Sequence, residues 1–133
     1  MTGAMRPDSV PGLQNFDPKA PVYMVNLLKF KTPNGVASYL EYGAGVAPLL
    51  EAAGASVCFT GSRPRGAADD SDSAWWDVII VVKYPTPGAF LDMVTSESYQ
   101  QIAKHRDDAL ERGDLIATAD WDFTQPGSTA SDH

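Results

Sequence analysis

Two adjacent residues, His105 and Arg106, hold the most chemical promise in this sequence. An imidazole titrates nearest to working pH and suits proton transfer. A guanidinium can grip a carboxylate in a planar fork or stabilise an enolate oxyanion. On a helix turning about 100° per residue, Tyr99, Ile102, Ala103, Ala109 and Leu110 make one apolar stripe. Arg106 falls at the centre of that stripe, and His105 lies about 100° away at its border. An unpaired buried charge is costly, so Arg106 either faces a wet, anion-accepting pocket or is held structurally. The structural options are a pair with a carboxylate such as Asp77, or snorkelling along the helix end. A joint catalytic role needs both side chains to converge on one cavity.

A second group could bind rather than react. Asn26 interrupts the apolar face formed by Val22, Met24, Leu28 and Phe30. An amide there needs partners, either backbone at a bulge or a ligand carbonyl or hydroxyl. Tyr39, Tyr42, Trp76, Tyr84 and Tyr99 add polar-tipped aromatics at core-facing positions. Aromatic walls with a few polar groups describe a small-molecule pocket. They also describe an ordinary core.

Other chemistries find little support. There is no P-loop and no H-E-x-x-H. Gly43-Ala44-Gly45 falls inside a helix rather than at a strand–helix turn, so it is no dinucleotide loop. Cys58, His105 and His133 are each isolated, and no metal site is expected. Asp69, Asp70 and Asp72 lack the glycine and terminal glutamate of a calcium loop. Cys58, the single cysteine, reads as a core strand residue and cannot form an intramolecular disulfide. No cofactor is implied.

The composition bounds the partners. Ten Lys+Arg stand against 17 Asp+Glu in 133 residues, a net charge of −7. That argues against nucleic acid and against anionic lipid. No apolar run is long enough to span a membrane, and the N-terminus lacks the pattern of a signal peptide. A cytoplasmic location is expected.

The elements that must position these residues follow from periodicity and punctuation. Residues 1–20, with Pro7, Pro11 and Pro18, read as a loose arm. Val22–Phe30 is a first strand. Gly35–Ala53 is a helix, with Gly54 as its cap and Pro48 towards solvent. Ser38, Glu41, Gly45, Pro48 and Glu51 form its polar face, opposite a broad apolar face that includes Val36, Leu40, Tyr39 and Tyr42. Ala55–Gly61 is a weaker strand, and Ser62–Ala74 a polar connection. Trp76–Tyr84 is the strongest strand. Thr86 caps a short helix over Pro87–Val94, and Ser96 caps a second that runs to Arg112. Asp114–Phe123 is the last strand, and 124–133 a disordered tail. The order β-α-β-β-α-β predicts an α+β, ferredoxin-like sandwich over 21–123. It has a four-stranded antiparallel sheet with both helices on one face.

The uncovered face is the difficulty. Ile79 and Val81 point away from Val78, Ile80 and Val82, and Val25 and Leu27 away from Val22, Met24 and Leu28. A half-exposed strand should alternate apolar with polar residues. Soluble monomers avoid such patches, so a homodimer packed sheet to sheet is expected.

Several segments, taken in order, resemble the domain of unknown function family 1330 over about residues 21–120. They are Tyr23-Met24-Val25-Asn26-Leu27-Leu28-Lys29-Phe30, Tyr39-Leu40-Glu41-Tyr42-Gly43, Trp76-Asp77-Val78-Ile79-Ile80-Val81, Lys83-Tyr84-Pro85, Phe90-Leu91, Tyr99 and His105-Arg106. The resemblance implies a dimeric α+β barrel. The wider superfamily includes cofactor-free monooxygenases, isomerases, cyclases, lyases and haem proteins that use a pocket between sheet and helices. It implies Asn26, Tyr39, Tyr42 and Trp76 as substrate-binding residues beside His105 and Arg106. A haem would need His105 as its axial ligand, and no supporting pattern accompanies it.

Three functions remain in competition. The first is a metal- and nucleotide-independent enzyme doing acid–base chemistry on an apolar, oxygenated or anionic metabolite. The second is a non-catalytic ligand-binding or accessory protein. The third is a purely structural dimer with Arg106 in an internal ion pair. A pocket walled only by tyrosine, tryptophan and aliphatic side chains favours the second.

Overall fold

The computed structural model of the chain describes residues 12–67, 73–122 and 124. Along it run β1 (Val22–Phe30), α1 (Gly35–Ala52), β2 (Ser56–Ser62), β3 (Val78–Tyr84), α2 (Pro87–Val94), α3 (Glu97–Ala109) and β4 (Leu110–Thr118). The strands form one antiparallel sheet in the order β2-β3-β1-β4. This is the ferredoxin-like topology expected from the sequence.

Local chemistry sets the helix ends. Gly54 closes α1 with φ of 74°, a left-handed backbone that glycine adopts without strain. The Ala55 N–H then bonds to the Leu50 carbonyl at 2.9 Å, satisfying an end-of-helix acceptor. The Thr86 hydroxyl accepts from the Ala89 N–H at 3.1 Å, starting α2. The Ser96 hydroxyl does the same for the Tyr99 N–H at 3.1 Å, starting α3. Each of these two hydroxyls supplies a partner for an otherwise orphaned donor.

Alternation along the strands decides the core. Val22, Met24 and Leu28 of β1 and Val82 and Tyr84 of β3 point to the helices and are buried. Val22, Met24, Val82 and Tyr84 pack with Tyr42, Val46, Phe90, Met93, Val94, Tyr99 and Ala103, and Leu28 packs in a second cluster with Ala109 and Leu110. Burying such side chains contributes roughly 1.5–3 kcal/mol each. Leu13, within the segment expected to be a loose arm, is buried in the same core. The rest of that arm, 1–11, lies outside the described residues, as do Asp69, Asp70, Asp72 and the tail from 125 with His133.

Several boundaries differ from expectation. The second long helix ends at Ala109 rather than Arg112, and β4 begins directly at Leu110. Glu111 and Arg112 are good helix formers, but pairing with β1 wins. Phe30 faces Leu110, and Lys29 faces Arg112. β3 starts at Val78, so Trp76 precedes the strand instead of leading it. On α1, Gly45 does not face solvent. A Cβ there would come 2.9 Å from Ile102, so the residue lets α1 lie against α3. Val36 and Leu40, expected on the buried face, are 54% and 68% exposed. Two helices side by side bury their mutual flanks, which rotates α1 relative to a helix packed on the sheet alone. Cys58 is exposed rather than core, because it lies where the β2–β3 register shifts between Val57 and Phe59.

The far side of the sheet carries Val25, Leu27, Ile79 and Val81, all half-buried in one chain. Phe59 and Ile116, at 57% and 50% exposed, extend this apolar surface to the outer strands. No helix among the described residues is long and apolar enough to cross a membrane.

Candidate functional site

The helix-facing side of the sheet encloses a cavity of about 240 Å³. Its floor is Met24 and Asn26 of β1, Val57 and Thr60 of β2, Ile80, Val82 and Tyr84 of β3, and Leu115 of β4. Its roof comes from α1 (Tyr39, Tyr42, Gly43, Val46, Ala47, Leu50), α2 (Phe90, Met93, Val94) and Tyr99 of α3. Most of these side chains are apolar. The polar groups are four phenols, one amide and one hydroxyl.

The register explains why the amide is there. Asn26 stands opposite Ile80 on one side and Leu115 on the other, so its side chain rises from the middle of the floor. Its amide donates to the Met24 carbonyl at 3.4 Å and the Ile80 carbonyl at 3.3 Å. Both contacts are longer than a normal N–H···O bond, so the amide retains capacity for a ligand.

Three of the phenols form a connected group, and Tyr84 stands edge to face against Phe90. Tyr39 and Tyr42 have ring centroids 5.3 Å apart, and Tyr42 and Tyr99 meet edge to face at 6.1 Å. The Tyr42 and Tyr99 hydroxyls are hydrogen bonded at 2.9 Å. Burial raises the pKa of all four cavity tyrosines above the usual phenol value, to about 12 for Tyr39. Desolvation disfavours the phenolate, so the hydroxyls stay protonated and can donate. The positive charge of Arg106 works against that rise at each of them.

Of the residues singled out from the sequence, Asn26, Tyr39 and Tyr42 come together in this wall with the core-facing Tyr84 and Tyr99, while Trp76, His105 and Arg106 do not. Trp76 stacks edge to face on Trp75 with centroids 5.0 Å apart, under the Arg112 guanidinium at 5.3 Å. His105 is partly exposed on α3 with Nδ1 3.9 Å from the Glu41 carboxylate of α1. Arg106 is 5% exposed and outside the wall. The side chains of His105 and Arg106 therefore do not converge on the cavity. Their 100° divergence on one helix is the physical reason.

The expected structural pair also fails to form. Asp77 accepts the Phe30 N–H at 3.0 Å and sits 3.6 Å from the Lys29 amine, not on Arg106. Thr60, Val57, Met93 and Leu115 line the cavity without having been singled out. Strand pairing places Val57, Thr60 and Leu115 there, opposite Val82, Ile80 and Asn26, and α2 carries Met93. Among the described residues, no three His, Cys, Asp or Glu side chains gather as a metal site.

The profile of the family described as "Domain of unknown function (DUF1330)" matches residues 21–119. None of the curated proteins matches the chain. Among solved structures, a protein of unknown function from Rhodopseudomonas palustris is 24% identical. That match covers 91% of this chain and 98% of that one, with a TM-score of 0.75. A hydroxynitrile lyase from Passiflora edulis is 16% identical, covering 75% and 93% with a TM-score of 0.57. A dimeric protein of unknown function with a ferredoxin-like fold, from Bacteroides fragilis, is 9% identical, covering 79% and 99% at 0.52. At these identities the likeness is one of fold.

Proposed function

The chain belongs to the DUF1330 family, and from that premise we propose that it binds a small, largely apolar molecule bearing an oxygen acceptor. The carrying observation is the wall itself, which sets four protonated tyrosines and Asn26 among aliphatic and aromatic side chains. In the Tyr42–Tyr99 pair one hydroxyl spends its proton on the other. The acceptor's own proton is then free to point at a ligand oxygen. Acid–base catalysis asks for a group in the wall that titrates near working pH. The described wall holds no imidazole, carboxylate or thiol, which favours binding over turnover. The hydroxynitrile lyase is similar in fold alone.

We further propose that the working unit is a homodimer formed through the apolar side of the sheet. Val25, Leu27, Ile79, Val81, Phe59 and Ile116 support it, because one chain leaves them without a partner.

The test of binding uses Gly43. It lines the cavity, and a Cβ placed on it meets nothing within 4 Å. Gly43→Leu should therefore fill open space while improving helix propensity by roughly 0.5–1 kcal/mol. Titration with benzylacetone, an apolar ketone, should show binding to the native protein and its loss in Gly43→Leu, at equal or higher thermal stability. Equal binding by both proteins would place the ligand elsewhere.

A further inference from the structure

Arg106 is unexplained by the fold. It is 5% exposed, and its Nη2 has no hydrogen-bond partner. The nearby acids are committed elsewhere. Asp77 serves Lys29 and the Phe30 N–H. Asp114 takes both Arg112 bonds, at 2.9 and 3.0 Å. Glu41 faces His105. The adjacent Asp107 has a buried carboxylate oxygen that is itself without a partner, so it does not neutralise the guanidinium. A buried cation with no counter-ion is costly to keep, and a protein carries one where something else supplies the anion.

The sheet locates this charge relative to the cavity. The guanidinium lies against Gly113, where a Cβ would come 3.1 Å from Nη2. Gly113 is opposite Leu28, and the next inward-facing rung is Asn26 with Leu115, both in the cavity floor. Two residues of strand span about 7 Å, so the guanidinium sits one inward rung beyond the cavity floor, close enough for its charge to act on an anion there. Tyr39 joins the two regions. It lines the cavity and also packs on the Leu28–Ala109–Leu110 cluster that borders Arg106.

We infer that Arg106 makes the Asn26–Tyr39 end of the cavity an anion site, so that the ligand is a small apolar carboxylate. The inference rests on the binding function proposed above and narrows its ligand. The carboxylate takes the guanidinium as its counter-ion, with the Asn26 amide and a tyrosine hydroxyl as further donors. The hydrocarbon body lies among Val46, Leu50 and Met93. A single guanidinium balances one negative charge. A phosphate dianion would leave a charge uncompensated among aliphatic walls, which favours the carboxylate.

The test compares hydrocinnamate with benzylacetone, which share a skeleton and differ by an oxygen anion in place of a methyl group. Native protein should bind the acid about tenfold tighter or more, the usual worth of a charged hydrogen bond. Arg106→Met, similar in length and apolar, should bind both alike and retain its affinity for the ketone. Arg106→Lys, which keeps the charge but loses the planar fork, should keep part of the preference. If the ketone binds native protein as tightly as the acid, the anion site is wrong and the cavity stands. If Arg106→Met keeps the preference, another group holds the anion and the inference is overturned. If neither probe binds native protein, the binding function fails and takes this inference with it.

Discussion

The hydroxyls of Tyr42 on α1 and Tyr99 on α3 meet at 2.9 Å inside the cavity wall. The bond ties the two long helices together at the point where a ligand would lie. Ser96 fixes one partner, because its hydroxyl accepts the Tyr99 N–H while donating to the Met93 carbonyl at 2.7 Å. Gly45 fixes the other by letting α1 approach Ile102. A helix cap and a small residue thus set the distance between two side chains more than fifty residues apart in sequence.

This coupling is measurable. Tyr99→Phe leaves the Tyr42 hydroxyl without its buried partner and should cost about 1–3 kcal/mol in chemical denaturation. Tyr42→Phe should cost a similar amount. The double variant should cost clearly less than the sum, since the second change removes a group already stranded. Additive costs would show that the bond contributes nothing in solution.

The tyrosines also set a pH dependence. Burial raises the pKa of the four cavity tyrosines above 10.0, while Tyr23 is raised chiefly by its hydrogen bond to Asp120. Below that value both the folded and the unfolded chain keep their phenolic protons, and the contribution is constant. Above it the unfolded chain releases protons that the folded chain holds, so stability falls as pH rises. For Tyr39 the fall runs from 10 to about 12, and for Tyr84 it extends further. Absorbance at the phenolate band should rise little at pH 10 in folded protein and strongly in denaturant. More than one tyrosine equivalent ionising at pH 10 while the protein stays folded would contradict the burial of the four cavity tyrosines.

Much of the fold was legible because it rests on local pattern. The bounds of β1 follow from its β-formers between Pro21 and Pro33, and the caps at Thr86, Ser96 and Gly54 from residue type alone. Arg106 was legible as buried because helical spacing places it in an apolar stripe. What failed was tertiary. Glu111 and Arg112 read as helix until β1 pairs with Leu110 and Arg112 on either side of a bulge at Glu111. Trp76 reads as an inward strand residue, yet its N–H bonds back to the Ser73 carbonyl in a tight turn and the strand begins only at Val78. His105 looks like a partner of Arg106 because it adjoins it in sequence, yet the helix sends it to Glu41. Asn26 and the tyrosines were found because polar tips on apolar faces mark a cavity and a core alike. Thr60 and Leu115 give no such mark, as only strand register brings them in.

The open side of the sheet gives a prediction about assembly. Ile116 is 50% exposed in a single chain, so Ile116→Lys should change the stability of one chain by no more than about 0.5 kcal/mol. In a sheet-to-sheet dimer the same lysine is buried without a partner. Light scattering should give the native protein twice the 14.3 kDa of one chain and the variant that of one chain. A native protein at the single-chain mass would remove the dimer, and an unchanged dimer in the variant would move its interface off this face.

Gly113 separates the position of the Arg106 charge from its presence. A Cβ there would stand 3.1 Å from Nη2 and 3.0 Å from the Leu110 Cδ1. Both are ends of flexible side chains, which can give way by a few tenths of an ångström. Alanine also restricts the unfolded strand more than glycine does. The two effects oppose each other, so Gly113→Ala should shift stability by no more than about 1 kcal/mol. It should still displace the guanidinium from its seat beside Leu28. If the Arg106 charge holds a ligand carboxylate from that seat, the variant should bind benzylacetone unchanged and hydrocinnamate several-fold differently. A guanidinium serving only to fill space between α3 and β4 predicts instead that the two affinities move together, or not at all.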